Sequence, residues 1–320
     1  MLSRVAENIY WMARFIERAE NTARLISVNA NLLLDLPRGV APGWQPLIDM
    51  SGGTEEFIAR YGEFNEKNVL RFLIADLENT SSIISSLHMA REDCRTIRDT
   101  MPREAWEQLN ELYLYAKEKV GKGVGKRSRH AYLKQIILGS QTITGLLAGA
   151  MNHDEGYRFL RVGRNLERAD MTTRIIDVRS ATLVPDPPLE LRPFDNIQWV
   201  SVLRSLSGYQ MYRRSMQVQV RRPEVLRFLF QSAVFPRSIF HTMEAIERSL
   251  EGLAATENPL RIVGRIKRIL QDTDVGALQQ DALHGYIDDL QLGFIELHQE
   301  LDKTYFNTAV NLPQKRVDAA

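Results

Sequence analysis

A charged phrase that occurs twice, 150 positions apart, constrains the fold of this chain more than any other feature. Residues 14–24 read RFIERAENTAR and residues 164–174 read RNLERADMTTR. Alignment of residues 14–28 with residues 164–178 gives eight identities in fifteen positions. Unrelated helices often share the spacing of apolar residues but rarely share the charges as well, so the phrase indicates an internal structural repeat.

Both copies of the phrase have the period of an α-helix. In segment 4–34, apolar residues recur at steps of three and four, which places them on one helix face. These residues are Ile9, Met12, Ile16, Ala19, Ala23 and Ile26. The opposite face carries charges together with Tyr10, Trp11 and Val28. A helix with large apolar groups among its charges is expected to be in contact on both faces.

The rest of the chain is also helical in pattern, without the alternation typical of strands. This helical pattern predicts an all-α fold, which we expect to be a single large bundle of about ten helices. The helices near 4–34 and 155–182 are expected to form an internal pseudo-repeat within it. The domain is expected at 1–310, with a disordered tail at 311–320. Further helices are predicted at 67–99, 102–119, 128–152, 195–219, 223–231, 236–254, 259–271 and 277–308, and a short one at 54–57 capped by Thr54.

Three connections separate these helices. Segment 37–53 contains Pro and Gly and is expected to be a loop, and the proline-rich segment 184–193 is expected to be extended. Segment 118–130 reads EKVGKGVGKRSRH and is expected to be flexible. No Ser or Thr follows a GK pair there at the spacing of a phosphate-binding loop, and no strand precedes it. No nucleotide fingerprint is found elsewhere, so no cofactor is expected.

The composition argues against several classes of protein. The chain has 320 residues, 44% of them hydrophobic, and a formal net charge of +1, so no attraction to nucleic acid or to a membrane surface is expected. Its single cysteine cannot form an intramolecular disulfide, which fits a cytoplasmic protein. The N-terminus is too charged for a signal peptide, and no run of about 18 apolar residues predicts a spanning helix.

Arginines dominate the polar faces of the repeat helices and recur on a third predicted helix. Glu17 and Glu167 are expected to orient these arginines by forked hydrogen bonds, as the two helices pack face to face about a pseudo-twofold axis. The arginines near position 95 share one helix face and are expected to meet the two glutamates or a ligand. The predicted ligand- or partner-binding residues are Arg14, Glu17, Arg18, Arg24, Arg91, Arg95, Arg98, Arg164, Glu167, Arg168, Arg174 and Arg237.

Several interpretations of this charge pattern stay open. The arginines and glutamates could form an internal network that fixes helix register, or a plain solvated surface. Because arginines outnumber the acids, the surplus could instead bind an acidic peptide or a phosphorylated ligand. In an enzyme, Glu17 or Glu167 would act as acid–base residues, although nearby guanidinium groups lower a carboxyl pKa and weaken the base.

Other chemistry has weak support in the sequence. The six histidines are scattered, and His241 with Glu244 forms only one reversed pair, whereas a carboxylate-bridged di-iron bundle needs two Glu-x-x-His pairs. No metal site is therefore expected. Cys94 lies among Arg91, Arg95 and Arg98, which would lower its thiol pKa, but such a cysteine more often packs as a small buried apolar group.

Several segments of the chain, spread over about 250 residues, resemble the Alpha-E family of all-helical bacterial proteins. They are MLSRVAENIYWMARFIERAENTARL at the start, AREDCRTIRD, WEQLNELY, RFLRVGRNLERADMTTRIIDV and FPRSIFHTMEAIE. At 91–93 this chain has Arg-Glu-Asp where the family has AREN. The resemblance implies a companion of an ATP-grasp-type ligase, with a transglutaminase-like protease as functional neighbour, in making or modifying a peptide or amide product.

Overall fold

The computed structural model of the protein describes residues 1–37, 42–181, 192–216 and 219–307. Within these ranges the chain forms fifteen α-helices and no strand, so the predicted all-α class is confirmed. The predicted tail at 311–320 and most of the predicted break at 184–193 lie outside the described residues. None of the helices in the described ranges is long and apolar enough to cross a membrane.

The helix bounds agree closely with the predicted ones in most of the chain. The helices are α1 (Ser3–Asp35), α2 (Gln45–Ser51), α3 (Thr54–Tyr61), α4 (Glu66–Leu70), α5 (Ile83–Thr96), α6 (Arg103–Glu118), α7 (Val120–Val124), α8 (Arg129–Ala150), α9 (Glu155–Ala181), α10 (Arg192–Ser205), α11 (Tyr209–Met216), α12 (Arg222–Gln231), α13 (Ile239–Leu250), α14 (Glu257–Asp272) and α15 (Gln280–Leu301).

The predicted helix at 67–99 is interrupted, which is one reason why there are more helices than the expected ten. A π-helical turn at Arg71–Ala75 follows α4, and the chain then leaves the helix until α5 begins. The Asn79 side chain donates to the Phe72 carbonyl at 2.9 Å, and an Asp76 carboxyl oxygen accepts from a backbone amide. Such side-chain bonds satisfy backbone groups that a continuous helix would otherwise pair.

Four smaller expectations were wrong. Segment 37–53, which was expected to be a loop, contains α2. Segment 118–130 contains α7, so it is not wholly a flexible connection. Thr54 does not cap α3; Gly53 holds that position, and the Thr54 hydroxyl donates to Asp49 at 2.9 Å. The predicted helix at 195–219 ends at Ser205, because Ser207 has a φ of 55° that an α-helix cannot accommodate.

The two repeat helices, α1 and α9, run side by side in the same direction. Arg14 pairs with Glu167, and Asn29 accepts from Arg179 further along both helices. At Gly163 the helices approach so closely that an added Cβ atom would lie 2.3 Å from the Tyr10 carbonyl oxygen. These contacts all join positions about 150 residues apart, so the two helices are in register with the sequence repeat.

Each repeat helix is surrounded by the same set of neighbours. Helix α1 packs with α5 and α8, and α6 lies between those two; α9 packs with α13 and α15, and α14 lies between those two. The Ser82 hydroxyl accepts a hydrogen bond from the third backbone amide of α5, and the Ser238 hydroxyl accepts one from the third backbone amide of α13. Helices α5 and α13, which hold the same place in the two sets, therefore begin with the same cap. The predicted pseudo-repeat therefore extends to two sets of four helices.

The connecting helices join these two sets. Helix α2 follows α1 in the chain but packs against α9, while α10 follows α9 and packs against α1. Hydrophobic residues buried in both sets belong to one continuous core. The two halves are therefore linked by the α1–α9 contact, by the exchanged helices α2 and α10, and by a common core.

Candidate functional site

Glu167 lies at the α1–α9 interface and accepts hydrogen bonds from two arginines of the other repeat. Arg14 Nε lies 2.8 Å from Oε2, while Arg18 Nε lies 2.6 Å from Oε1 and its Nη2 lies 3.0 Å from Oε2. The Glu167 side chain is only 3% exposed, against 11% and 17% for the arginines. The carboxylate therefore lies beneath its two guanidinium partners.

Glu17 is bound in the same way from the opposite repeat. Arg168 forms a two-bond fork, with Nε 3.0 Å from Oε1 and Nη2 2.9 Å from Oε2. Arg237 Nη1 adds a third contact to Oε1 at 2.8 Å. Glu17 does not use Arg14 or Arg24 of its own helix. The expected exchange of forks between the two helices is therefore confirmed, whereas pairing along one helix is not seen here.

The two carboxylates differ in their second arginine partner, which is Arg14 for Glu167 and Arg237 for Glu17. Arg237 stands just before the Ser238 cap, and the corresponding position before the other cap is Ser81. Arg237 therefore supplies Glu17 with a partner that Glu167 lacks. Arg164, the repeat counterpart of Arg14, forms no hydrogen bond or ion pair within the described chain, and its Nε is buried without a partner. Burial, with Arg168 nearby, lowers the pKa of the Arg164 guanidinium.

Each repeat helix also carries an ion pair one turn further on. Glu20 accepts from Arg24 at 2.6 Å, and Asp170 accepts from Arg174 at 2.9 Å. Glu20 is the more buried acid and also accepts from Arg237 Nη2 at 3.0 Å. A helical wheel puts Glu20 only at the edge of the charged face, yet it is the third carboxylate of the glutamate–arginine centre. This centre comprises Arg14, Glu17, Arg18, Glu20, Arg24, Arg164, Glu167, Arg168 and Arg237.

The central carboxyl groups stay ionised far below neutral pH. Burial alone would raise the pKa of Glu17, but Arg168 and Arg237 outweigh it and hold the pKa at about 2. Burial acts on Glu167 in the same direction, and Arg18 and Arg14 again lower its pKa to about 2. Both groups are therefore weak bases at neutral pH.

A chain of hydrogen bonds continues outward from Glu167, and the sequence pattern did not predict it. Arg14 Nη1 donates to the Tyr10 hydroxyl at 3.1 Å, and that oxygen lies 2.9 Å from His298 Nδ1. The Arg14 guanidinium also lies over the Trp11 ring, 4.8 Å from its centroid. Burial raises the pKa of Tyr10 and lowers that of His298. No sequence signal links His298 to Tyr10, 288 positions away.

The predicted row of Arg91, Arg95 and Arg98 does not meet Glu17 or Glu167, so that expected contact was wrong. Arg91 donates to Asn110 at 2.7 Å, and Arg95, 60% exposed, pairs with Glu92. Helix α5 ends at Thr96, so Arg98 lies outside the helical wheel on which it was placed. Glu92 pairs with both Arg91 and Arg95, which offsets one of their two positive charges. Helix α5 packs against α1, and both helices contribute buried apolar residues to the core.

Cys94 lies on the buried face of α5, away from these arginines. Its side chain is 2% exposed. Burial and the neighbouring Asp93 raise the pKa of the thiol to about 12. A depressed pKa, as an activated nucleophile would need, is not found. The structure therefore supports packing as the role of Cys94.

Replacing Asp93 by Asn is expected to stabilise the protein above neutral pH. Burial, with Glu7 and Glu92 adding to it, raises the pKa of Asp93 from 3.8 to about 7, and its Oδ2 has no partner. Between these pH values the folded state holds a proton that the unfolded state has lost, so stability falls as pH rises. The variant should lack this fall and gain about 1–3 kcal/mol at pH 8 in urea unfolding.

The control for this prediction is Asp99→Asn, which changes an exposed carboxylate in the same segment. It should leave the dependence of stability on pH as it is in the parent protein. If the free energy of unfolding of the parent protein did not decline between about pH 4 and pH 7, the raised pKa of Asp93 would be contradicted.

Comparisons with curated proteins find relatives in mycobacteria. An uncharacterized protein of Mycobacterium bovis and two of Mycobacterium tuberculosis are each 21% identical over 323 residues, which cover 93% of this chain. The chain spans 35% of the length of these relatives. No solved structure matches.

The family comparison covers almost the whole described chain. Residues 1–306 match the Alpha-E family, whose description is "a predicted alpha-helical domain with a conserved ER motif". The Glu17–Arg18 and Glu167–Arg168 pairs, which place both buried carboxylates and two of their guanidinium partners, are ER dipeptides. This chain is a member of the Alpha-E family.

Proposed function

We propose that the protein is an accessory binding module that acts with an ATP-grasp-type amide or peptide ligase. Its glutamate–arginine centre would receive an acidic peptide group, presented by the substrate or by the ligase itself. A phosphorylated ligand would use the same donors. In this proposal the chain binds and positions its partner, and the bond-forming chemistry belongs to the ligase.

The observation that carries the proposal is the charge balance of the centre. Six guanidinium groups, from Arg14, Arg18, Arg24, Arg164, Arg168 and Arg237, surround three carboxylates, from Glu17, Glu20 and Glu167, which leaves 6 − 3 = 3 positive charges. The carboxylates are at most 5% exposed, whereas four of the paired arginines are 11–17% exposed. Guanidinium edges therefore face outward above buried acids.

This arrangement favours binding of an anion over proton transfer. A guanidinium fork that is already oriented by a buried carboxylate loses little side-chain freedom when it meets a second anion. The same forks keep the pKa of Glu17 and Glu167 low, which argues against the alternative that these residues act as acid–base groups in an enzyme. Arg164, which has no partner of its own within the described residues, is the first candidate contact for an incoming anion.

Two considerations connect the module with a ligase. The family resemblance implies such a companion, together with a transglutaminase-like protease as functional neighbour. In addition, about two thirds of each mycobacterial relative lies outside the matched stretch, so the Alpha-E portion there is joined to other sequence. Both considerations agree with a helical module that works beside a further domain or chain.

The binding proposal predicts a specific loss in Arg164→Gln. A fluorescein-labelled heptaglutamate peptide should bind the parent protein saturably in fluorescence anisotropy, and should bind more weakly as salt rises. The variant should weaken binding at least about fivefold, or about 1 kcal/mol. Because Arg164 forms no ion pair within the described residues, its replacement should leave the thermal unfolding midpoint nearly unchanged.

The matched control is Arg95→Gln, on the predicted row that the structure separates from the centre. It should leave the affinity for heptaglutamate unchanged. Absence of saturable binding, or equal losses in both variants, would contradict a peptide site at the centre. Inorganic phosphate that displaces the peptide more effectively than free glutamate does would identify a phosphorylated ligand instead.

A further inference from the structure

A cavity outside the glutamate–arginine centre lies between the C-terminal half of α1 and the start of α8. It encloses about 440 Å³, and none of the residues of the centre line it. Volumes of about 300–1,000 Å³ are typical of small-molecule sites. Its walls come from α1, the segment before α2, the first residue of α4, and the segment 126–133.

One wall of this cavity is a fixed arrangement of three side chains. Arg129 Nη1 pairs with Glu66 Oε1 at 2.7 Å, and the Arg129 guanidinium lies 5.7 Å from the centroid of the Trp44 ring. The Arg129 side chain is only 8% exposed, and its Nε is buried without a hydrogen-bond partner. The indole ring therefore packs against a largely buried guanidinium group, which is paired with the partly exposed Glu66, and it lines the cavity surface.

The other walls combine apolar side chains with the polar side chains of Ser27, Asn31 and His130, and an exposed lysine completes the lining. Ala30, Leu33 and Leu133 line the interior, and Leu34, at its edge, is 80% exposed. Lys126 is exposed and forms no ion pair in the described part of the chain. Among the lysine, arginine and acidic side chains of the lining, Glu66 neutralises Arg129, and Lys126 leaves a net charge of +1.

We propose that this cavity binds a small aromatic carboxylate. The aromatic ring would lie against Trp44 and the leucine side chains, where apolar surface is removed from water. The carboxylate would face Lys126 at the mouth, with Arg129 behind the indole ring. A polyphosphate would need more cations than this lining offers, whereas a neutral ligand would leave the lysine without a partner.

Isothermal titration calorimetry with naphthalene-2-carboxylate tests this site. The acid should bind the full-length protein with a Kd below about 1 mM, and naphthalene-2-carboxamide, which has the same shape without the charge, should bind at least about fivefold more weakly. Lys126→Gln should weaken binding of the carboxylate by a similar factor and leave binding of the carboxamide unchanged. Ala30→Phe, which fills the cavity, should abolish binding of both.

The control is Lys122→Gln, which removes an exposed lysine of α7 that does not line the cavity. It should bind naphthalene-2-carboxylate as the parent does, and so should Arg164→Gln, because the cavity is separate from the peptide site. The proposal is overturned if the carboxylate gives no binding heat at about 1 mM, if the carboxamide binds equally well, or if Lys126→Gln has no effect. If Ala30→Phe does not fold, the lysine variant and the ligand pair decide the result.

Discussion

Glu167→Gln is expected to lower the free energy of unfolding by about 3–5 kcal/mol at neutral pH, because it leaves two nearly buried guanidinium groups without their carboxylate. Arg14 and Arg18 would lose charge-assisted bonds of 2.6–3.0 Å and would stay desolvated. Urea unfolding followed by circular dichroism measures the loss. Glu17→Gln should behave similarly, with Arg168 and Arg237 as the affected partners.

This prediction includes a pH dependence. The pKa of Glu167 is about 2 in the folded protein and 4.5 in a free peptide, so its contribution is fully present above about pH 4.5 and is lost as pH falls toward 2. The difference between the parent protein and Glu167→Gln should therefore shrink below about pH 4.5. A loss that is independent of pH in this range would mean that the variant acts by changing packing.

An exposed ion pair provides the matched control. Glu296 pairs with Arg265, and both side chains are about half exposed. Glu296→Gln should therefore cost less than about 1 kcal/mol. If Glu167→Gln cost no more than this control, the idea of a buried network at the α1–α9 interface would be untenable.

Gly163→Ala is expected to destabilise the protein by about 3 kcal/mol, the upper end for overpacking. The added Cβ would lie 2.3 Å from the Tyr10 carbonyl oxygen and 3.1 Å from its carbonyl carbon. The contact is with the backbone of a central helix, so it cannot be relieved by a change of rotamer. The helices would have to separate, which would also lengthen the forks to Glu17 and Glu167.

Gly145→Ala is the comparison, because Gly145 lies inside α8 with open space around it. There the added methyl group should raise stability by up to about 1 kcal/mol, as alanine favours the helix over glycine. Thermal unfolding of both variants, measured under the same conditions, should show a lower midpoint for Gly163→Ala and a higher midpoint for Gly145→Ala than for the parent protein. Equal effects at the two positions would show that helix propensity, and not the close approach of α1 and α9, determines the result at Gly163.

The repeat makes the centre of this fold predictable from sequence. Identical charges at Arg14 and Arg164, and at Glu17 and Glu167, are enough to predict that the two helices pack against each other. The forks follow because a buried carboxylate must find cations, and the nearest are on the other copy. Helical periodicity is sufficient for the fold class and for most helix bounds.

Other features depend on contacts that the sequence pattern does not show. Arg237 reaches Glu17 from 220 positions away, because α13 packs against α9 and places the residue before its N-terminal cap beside Glu17. The interruption before α5 depends on side-chain bonds of Asn79, which become available only when the preceding turn is in place. Arg98 was misplaced because the wheel was continued beyond the end of its helix, whereas Arg91 and Arg95 lie within the helix and pair locally with Glu92.

The crossing of α2 and α10 between the two sets of helices bears on the origin of the protein. A chain with one set alone would carry a single glutamate–arginine phrase, with no second helix to bind it. It could complete the same centre only by pairing with another copy about a true twofold axis. Duplication and fusion of the gene for such a homodimer would produce this arrangement. Freed from strict symmetry, the copies could then diverge, with arginine at position 237 and serine at position 81.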